Sequence, residues 1–152
     1  METVALYLIT ALFMLAFDMI WLTLRSSYNN SIISSVQGSL PKIRLIPAAL
    51  IYILIPLTVL IFAVMPSMEM EMAIARGAFL GFAMYGVYDL TNYATLNGWT
   101  LNMTVTDMAW GTFICGFTAA FAFYIKQNKF LKGLNFKNLN NLKNIVTEKF
   151  TK

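Results

Sequence analysis

The sequence predicts an all-α protein: a polytopic transmembrane bundle of four helices followed by a basic tail. Three observations carry that prediction. Of 152 residues, 59% are hydrophobic and 12% are charged, whereas roughly a quarter of the residues in a soluble domain carry charge. Mean hydropathy is +0.66. The remaining charges are segregated. Asp18 is the only one between Val4 and Leu24, and none falls between Leu45 and Met65. Arg76 and Asp89 interrupt Met72–Leu96, and Asp107 alone interrupts Met103–Ile125. Each run is about 20 residues long, which at ~1.5 Å per residue crosses a ~30 Å hydrocarbon core. A soluble helical protein needs polar helix faces, and these runs leave almost none.

The first helix is expected over residues 3–24. Glu2 in place of a basic start, the length of the run, and Asp18 and Trp21 near its end separate it from a signal peptide. Trp21, Arg25 and Tyr28 mark its water-facing end. Ser26–Leu40 is rich in Ser and Asn but holds Ile32, Ile33 and Val36. It reads as a polar connection lying partly in the interface. Pro41, Lys42 and Arg44 close it.

The second helix is expected over 45–65. Pro47 suits its first turn, Pro56 predicts a kink, and Pro66 ends it. A short acidic loop with Glu69 and Glu71 follows. The third helix is expected over 72–96. Ala73, Gly77 and Gly81 recur every four residues and form a small-residue stripe, which lets helices approach closely in lipid. The stripe continues through Tyr85 to Asp89 and Tyr93. Asn97, Gly98 and Trp99 make a tight turn, and the fourth helix is expected over 103–125 with Gly111 and Gly116. The short links make helices two and three, and three and four, antiparallel neighbours.

Residues 1–125 thus form a transmembrane domain and 126–152 a separate Lys- and Asn-rich tail. The tail holds seven of the eleven basic residues. Leu139, Leu142, Val146 and Phe150 follow helical spacing, so the tail is either an amphipathic segment on an anionic membrane surface or a disordered extension. The basic balance comes largely from the tail, and nothing in the sequence supports nucleic-acid binding.

The candidate site rests on Asp18, Asp89 and Asp107, the three Asp residues of the chain. In this threading they lie about 9, 10 and 6 Å from helix ends that share one side of the membrane. Carboxylates at such depth face a bundle interior or a water-filled cavity, and they must be protonated, paired or hydrated. Companions at helical spacing extend the set. Trp21 and Arg25 follow Asp18, Asn92 and Tyr93 follow Asp89, Trp110 and Gly111 follow Asp107, and Tyr85 precedes Asp89 by one turn. The expected ligand-binding residues are therefore Asp18, Trp21, Arg25, Tyr85, Asp89, Asn92, Tyr93, Asp107 and Trp110. Gly77, Gly81 and Gly111 are expected at helix contacts. The alternative reading is structural, with the carboxylates hydrogen-bonding neighbouring helices and capping the fourth.

The string Tyr88-Asp-Leu-Thr-Asn-Tyr-Ala-Thr-Leu-Asn-Gly-Trp99, with Thr106-Asp-Met-Ala-Trp-Gly111, resembles a family of small integral membrane proteins recorded under a domain-of-unknown-function label. Asp18, Trp21, Leu22 and Tyr28 match the pattern of its first helix. The resemblance covers about Val4 to Tyr124 and implies a four-helix membrane protein. It assigns no activity and no functional residue.

Several classes of chemistry are disfavoured. The chain has no histidine and one cysteine, Cys115, so the commonest general base and a thiolate metal cluster are missing. No cofactor and no resident metal is expected. An uncharacterised membrane protein that binds or transports a small molecule or ion fits best, in a lipid bilayer and as a homo-oligomer, a dimer first. In a prokaryote the membrane would be the plasma membrane. An Mg²⁺-dependent enzyme acting on lipid is an alternative, since three carboxylates suit that ion. The spaced Asp pattern of phospholipid-forming phosphotransferases is absent, which weighs against an enzyme. An accessory subunit that packs through its glycine stripe is a further alternative.

Overall fold

A computed structural model describes residues 2–128, and its regular structure there is entirely helical. Helix α1 spans Glu2–Gln37, α2 Leu45–Thr58, α3 Met70–Thr95 and α4 Leu101–Gln127. The basic tail, with both readings of it, lies outside the described residues. Three segments are long and apolar enough to cross a membrane: Thr3–Gln37, Leu45–Val64 and Leu101–Gln127. Helix α3 has 26 residues, enough to match them in length, but its glycines, Asp89 and Asn92 make it less apolar. It turns that face onto α4, and α3 with α4 is the most extensive helix pair.

The first helix departs from expectation. It does not stop near Leu24 but continues unbroken to Gln37. Ser residues of low helix propensity stay helical in part because three of their hydroxyls are satisfied on the helix itself. The hydroxyls of Ser26, Ser31 and Ser35 donate to the carbonyls of Thr23, Tyr28 and Ile32 at 2.7–2.9 Å. Tertiary contacts hold the extension as well. The Tyr28 hydroxyl lies 3.0 Å from Thr100 Oγ1, and Gly98 packs beside Ser35 and Val36. With 36 residues, α1 is about 54 Å long, well beyond a ~30 Å hydrocarbon core. Its last turns therefore stand clear of the hydrocarbon.

Helix α2 passes through Pro56 and then changes hydrogen-bond register. Val59–Val64 form a π-helical segment, in which the Met65 N–H reaches back five residues to Leu60 O at 2.8 Å. At the junction the Val59 N–H is shared between the carbonyls of Ile55 and Pro56. Proline removes one ladder donor, and the wider turn follows directly. Its buried residues Val59, Leu60, Ala63 and Val64 join Ile114, Ala119 and Phe123 in the core.

The helices alternate in direction. Gly98 lies against Ser35 and Val36, so the α1–α2 link and the α3–α4 turn share one end, here the turn end. The Lys126 ammonium donates to the carbonyls of Val64 and Met65 at 3.1 and 3.3 Å. That places the α2–α3 link, the end of α4 and the start of α1 at the opposite, terminal end. Thr100 caps α4, its hydroxyl accepting from the Met103 N–H at 3.1 Å. Capping by Asp107 is therefore not how this helix starts.

Candidate functional site

Leu6, Thr10, Met14 and Asp18 recur every fourth residue along α1, and all four are buried. The inward stripe of α1 thus ends its apolar part on a carboxylate. Asp18 accepts two hydrogen bonds there, from the Tyr52 hydroxyl at 2.6 Å and from the Trp110 indole N–H at 2.8 Å. One side chain joins α1, α2 and α4. Trp110 also stacks on Trp21, with centroids 4.6 Å apart and planes within 5°.

Asp107 lies one helical turn before Trp110 and is half-buried. Its charged and polar neighbours are Trp21, Asp18 and Arg25. Arg25 does not pair directly with a carboxylate. It donates from Nη2 to Thr106 Oγ1 at 2.9 Å. Its guanidinium carbon sits 4.4 Å from the Tyr28 ring centroid and 5.5 Å from that of Trp21, a cation–π setting. Asp18 is thus compensated by two donors, whereas Asp107 is half-buried, with Trp21 and then Arg25 as favourable neighbours and Asp18 as an unfavourable one.

Asp89 is different. It is fully buried, and among the described residues neither carboxylate oxygen has a hydrogen-bond partner. The antiparallel register of α3 on α4 places it. A Cβ on Gly77 would meet Ala119 and the Cys115 carbonyl, one on Gly81 would overlap the Gly111 carbonyl, and one on Gly86 would meet Met108. One turn further, Asp89 reaches the level of Thr104–Asp107, and Asp107 is the charge that acts on it. The preceding residue, Tyr88, meets the buried Trp99 ring edge-on at 6.1 Å. The Trp99 indole N–H also lacks a partner.

The residues expected from sequence are therefore unequally placed. Asp18, Trp21, Arg25, Asp107 and Trp110 form one connected group. Tyr85 lies with its ring over Gly111 at the edge of that group. Asp89 joins at the same level from α3. Asn92 is half-buried on α3, whereas Tyr93 is 46% exposed and stands outside the group. Tyr52, Thr106 and Trp99 belong to it without having been singled out. Tyr52 carried a signal, because it is the one hydrogen-bonding aromatic in a run with no charge. Among the described residues no three carboxylate, cysteine or histidine side chains converge at metal-binding distance. An apolar groove bounded by Met19, Ile20, Thr23 and Leu24 lies on the exposed side of α1, apart from the carboxylates.

Membrane-spanning helices around a buried acid–aromatic cluster define a class, that of small multi-pass helical membrane proteins with a polar centre. Within that class the chain belongs to the family described as predicted membrane protein DUF2177, whose model matches residues 3–124. No curated protein and no solved structure matches the chain.

Proposed function

We propose that the protein binds a small monovalent cation, a proton or an ammonium-type ion, at the acid–aromatic cluster, and that Asp89 is the group that takes it. The observation that carries this reading is the isolation of Asp89: fully buried, with both oxygens unpartnered. An ionised carboxylate in that setting is strongly disfavoured unless it meets a proton or a cation. Asp18 already has two donors and Asp107 is only half-buried, so the exchangeable position falls to the fully buried Asp89. The aromatic surfaces of Tyr85, Tyr88 and Trp99 nearby suit an organic cation, which is attracted to ring faces. Transport of that cation, completed by a second copy of the chain, extends the proposal. A lipid-modifying metal site has less support, because three ligating side chains do not converge.

The test uses full-length protein in nanodiscs, titrated with ammonium and tetramethylammonium chloride at constant ionic strength. A ligand at 100 times its Kd stabilises the folded state by about 2.7 kcal/mol, a readily measured rise in Tm. Wild type is expected to show that rise with one of the two ions, or cation-driven proton flux in proteoliposomes. Asp89→Asn is expected to fold normally and lose both. If Asp89→Asn keeps the wild-type response while Asp89→Leu unfolds the protein, Asp89 is a structural group and the proposal fails.

A further inference from the structure

Buried polar atoms without a protein partner are rare in folded chains and are normally met by water. Here they are distributed one-sidedly. Of the eight such atoms among the described residues, seven lie from the carboxylate cluster towards the turn end, and Thr118 Oγ1 is the exception. Three of the seven fall on one stripe of α1. Trp21 Nε1, Arg25 Nε and Asn29 Oδ1 occupy successive turns at a spacing of four, with Trp21 Nε1 facing the Asp107 carboxylate without closing a hydrogen bond. The stripe begins one turn beyond Asp18 and ends on the part of α1 that outlasts the hydrocarbon. Facing it across the seam are Thr106, which accepts from Arg25, and Thr100, which meets Tyr28.

Towards the terminal end the same α1–α4 seam changes character. Phe13 stacks on Phe121 at 3.9 Å and packs against Phe117 at 5.2 Å. Phe17 meets Phe117 edge-on at 5.2 Å. The α3–α4 seam is closed there by the approach of Gly77 and Gly81 to the Cys115 and Gly111 backbones. The Trp21–Trp110 stack marks the boundary between the two halves.

We infer that the polar half of the α1–α4 seam is a hydrated half-channel, leading from the aqueous phase at the turn end to Asp107 and Asp89, with the aromatic half sealing the other side. It rests on the reading of Asp89 as an exchangeable site and names the route by which ions reach it. Access is one-sided in this conformation. Arg25 lies on the route with its guanidinium over Tyr28 and near Trp21, where its positive charge opposes the passage of cations, an opposition offset by the carboxylates beyond it.

Single cysteines introduced into full-length Cys115→Ala protein, in sealed vesicles of known orientation, test the route with a membrane-impermeant methanethiosulfonate. Lys42→Cys, in the α1–α2 link, identifies the turn-end side. Asn29→Cys reports the mouth, Thr106→Cys and Thr104→Cys the depth of the cluster, and Phe121→Cys the sealed half. The deep positions are expected to react from the Lys42 side at least about tenfold faster than Phe121→Cys reacts from either side, a ratio equal to ~1.4 kcal/mol of opening. Thr104→Cys carries the test if Thr106→Cys fails to fold. Labelling that stops at Asn29→Cys, labelling from the opposite side, or equal labelling of Phe121→Cys would overturn the half-channel. None of these readouts needs a bound cation. Failure of the Asp89 reading would therefore leave the labelling pattern intact, and failure of labelling would leave Asp89-dependent binding to be explained by another route.

Discussion

At the residue scale, Asp18 and Asp89 show how two identical side chains at similar depth take different roles. Asp18 has two donors from two other helices and acts as a joint. Interhelical hydrogen bonds in membranes average only ~0.6 kcal/mol, but bonds to an ionised group reach ~1.5–3 kcal/mol. Tyr52→Phe is expected to lower unfolding stability by about 1–2 kcal/mol, read from SDS or thermal unfolding in detergent. Trp110→Phe should lose a similar amount, plus the stacking on Trp21. The double variant should lose less than the sum, because both donors serve the same carboxylate. Additive losses would mean that the two bonds contribute independently of each other. The sequence announced Asp18 because a carboxylate stands out in an apolar run. It did not announce Tyr52 as the partner, since nothing local in α2 says which neighbour that side chain meets.

At the element scale, the α3–α4 contact depends on individual glycines to different degrees. A Cβ at Gly81 would run into the Gly111 backbone carbonyl, whereas one at Gly86 would meet only the terminal methyl of Met108 at 3.2 Å. Backbone cannot yield, and a methionine end can. Gly81→Ala is therefore expected to destabilise by at least about 1–3 kcal/mol through overpacking. Gly86→Ala is expected to be neutral or to stabilise by up to ~1 kcal/mol through helix propensity. Unfolding midpoints of the two variants, measured side by side, check the difference in sign. The four-residue spacing of Ala73, Gly77 and Gly81 was legible in the sequence; the helix that receives them, and Gly86 beside them, were not. The extension of α1 was illegible for a different reason. Ser and Asn favour loops by intrinsic propensity, and the contacts that keep Asn29–Val36 helical come from Gly98 and Thr100, far along the chain. The spans themselves were readable because charge-poor length alone sets them, which is why α4, and α2 taken with its π-helical continuation to Val64, begin and end within a few residues of expectation.

At the scale of the whole molecule, the alternating directions place the start of α1 and the end of α4 at one end. Thr3→Cys and Gln127→Cys are expected to label from the same side of a vesicle, and labelling from opposite sides would contradict the topology. We propose that this side is cytoplasmic. Lys126, in the last turn of α4, and Lys129, Lys132 and Lys137 after it stand against Arg25, Lys42 and Arg44 at the other end, and basic residues near span ends set orientation. A reporter fused after Lys152 should be active only in the cytoplasm.

The length of α1 has one more consequence. Because it is a single rigid rod from hydrocarbon to water, the depth of Asp18 below Arg25 is fixed at about 10 Å. Local unwinding cannot adjust it. The protein must therefore meet bilayers of different thickness by tilting as a unit or by deforming lipid, at fractions of a kcal/mol per ångström of mismatch. In longer-chain phospholipids Arg25 and the mouth at Asn29 would be drawn towards the acyl region, and the aqueous approach to the carboxylates would lengthen. Acyl chain length should thus act as a tuning variable. Labelling of Thr106→Cys is expected to slow steadily as the lipid series lengthens, while Lys42→Cys stays unchanged.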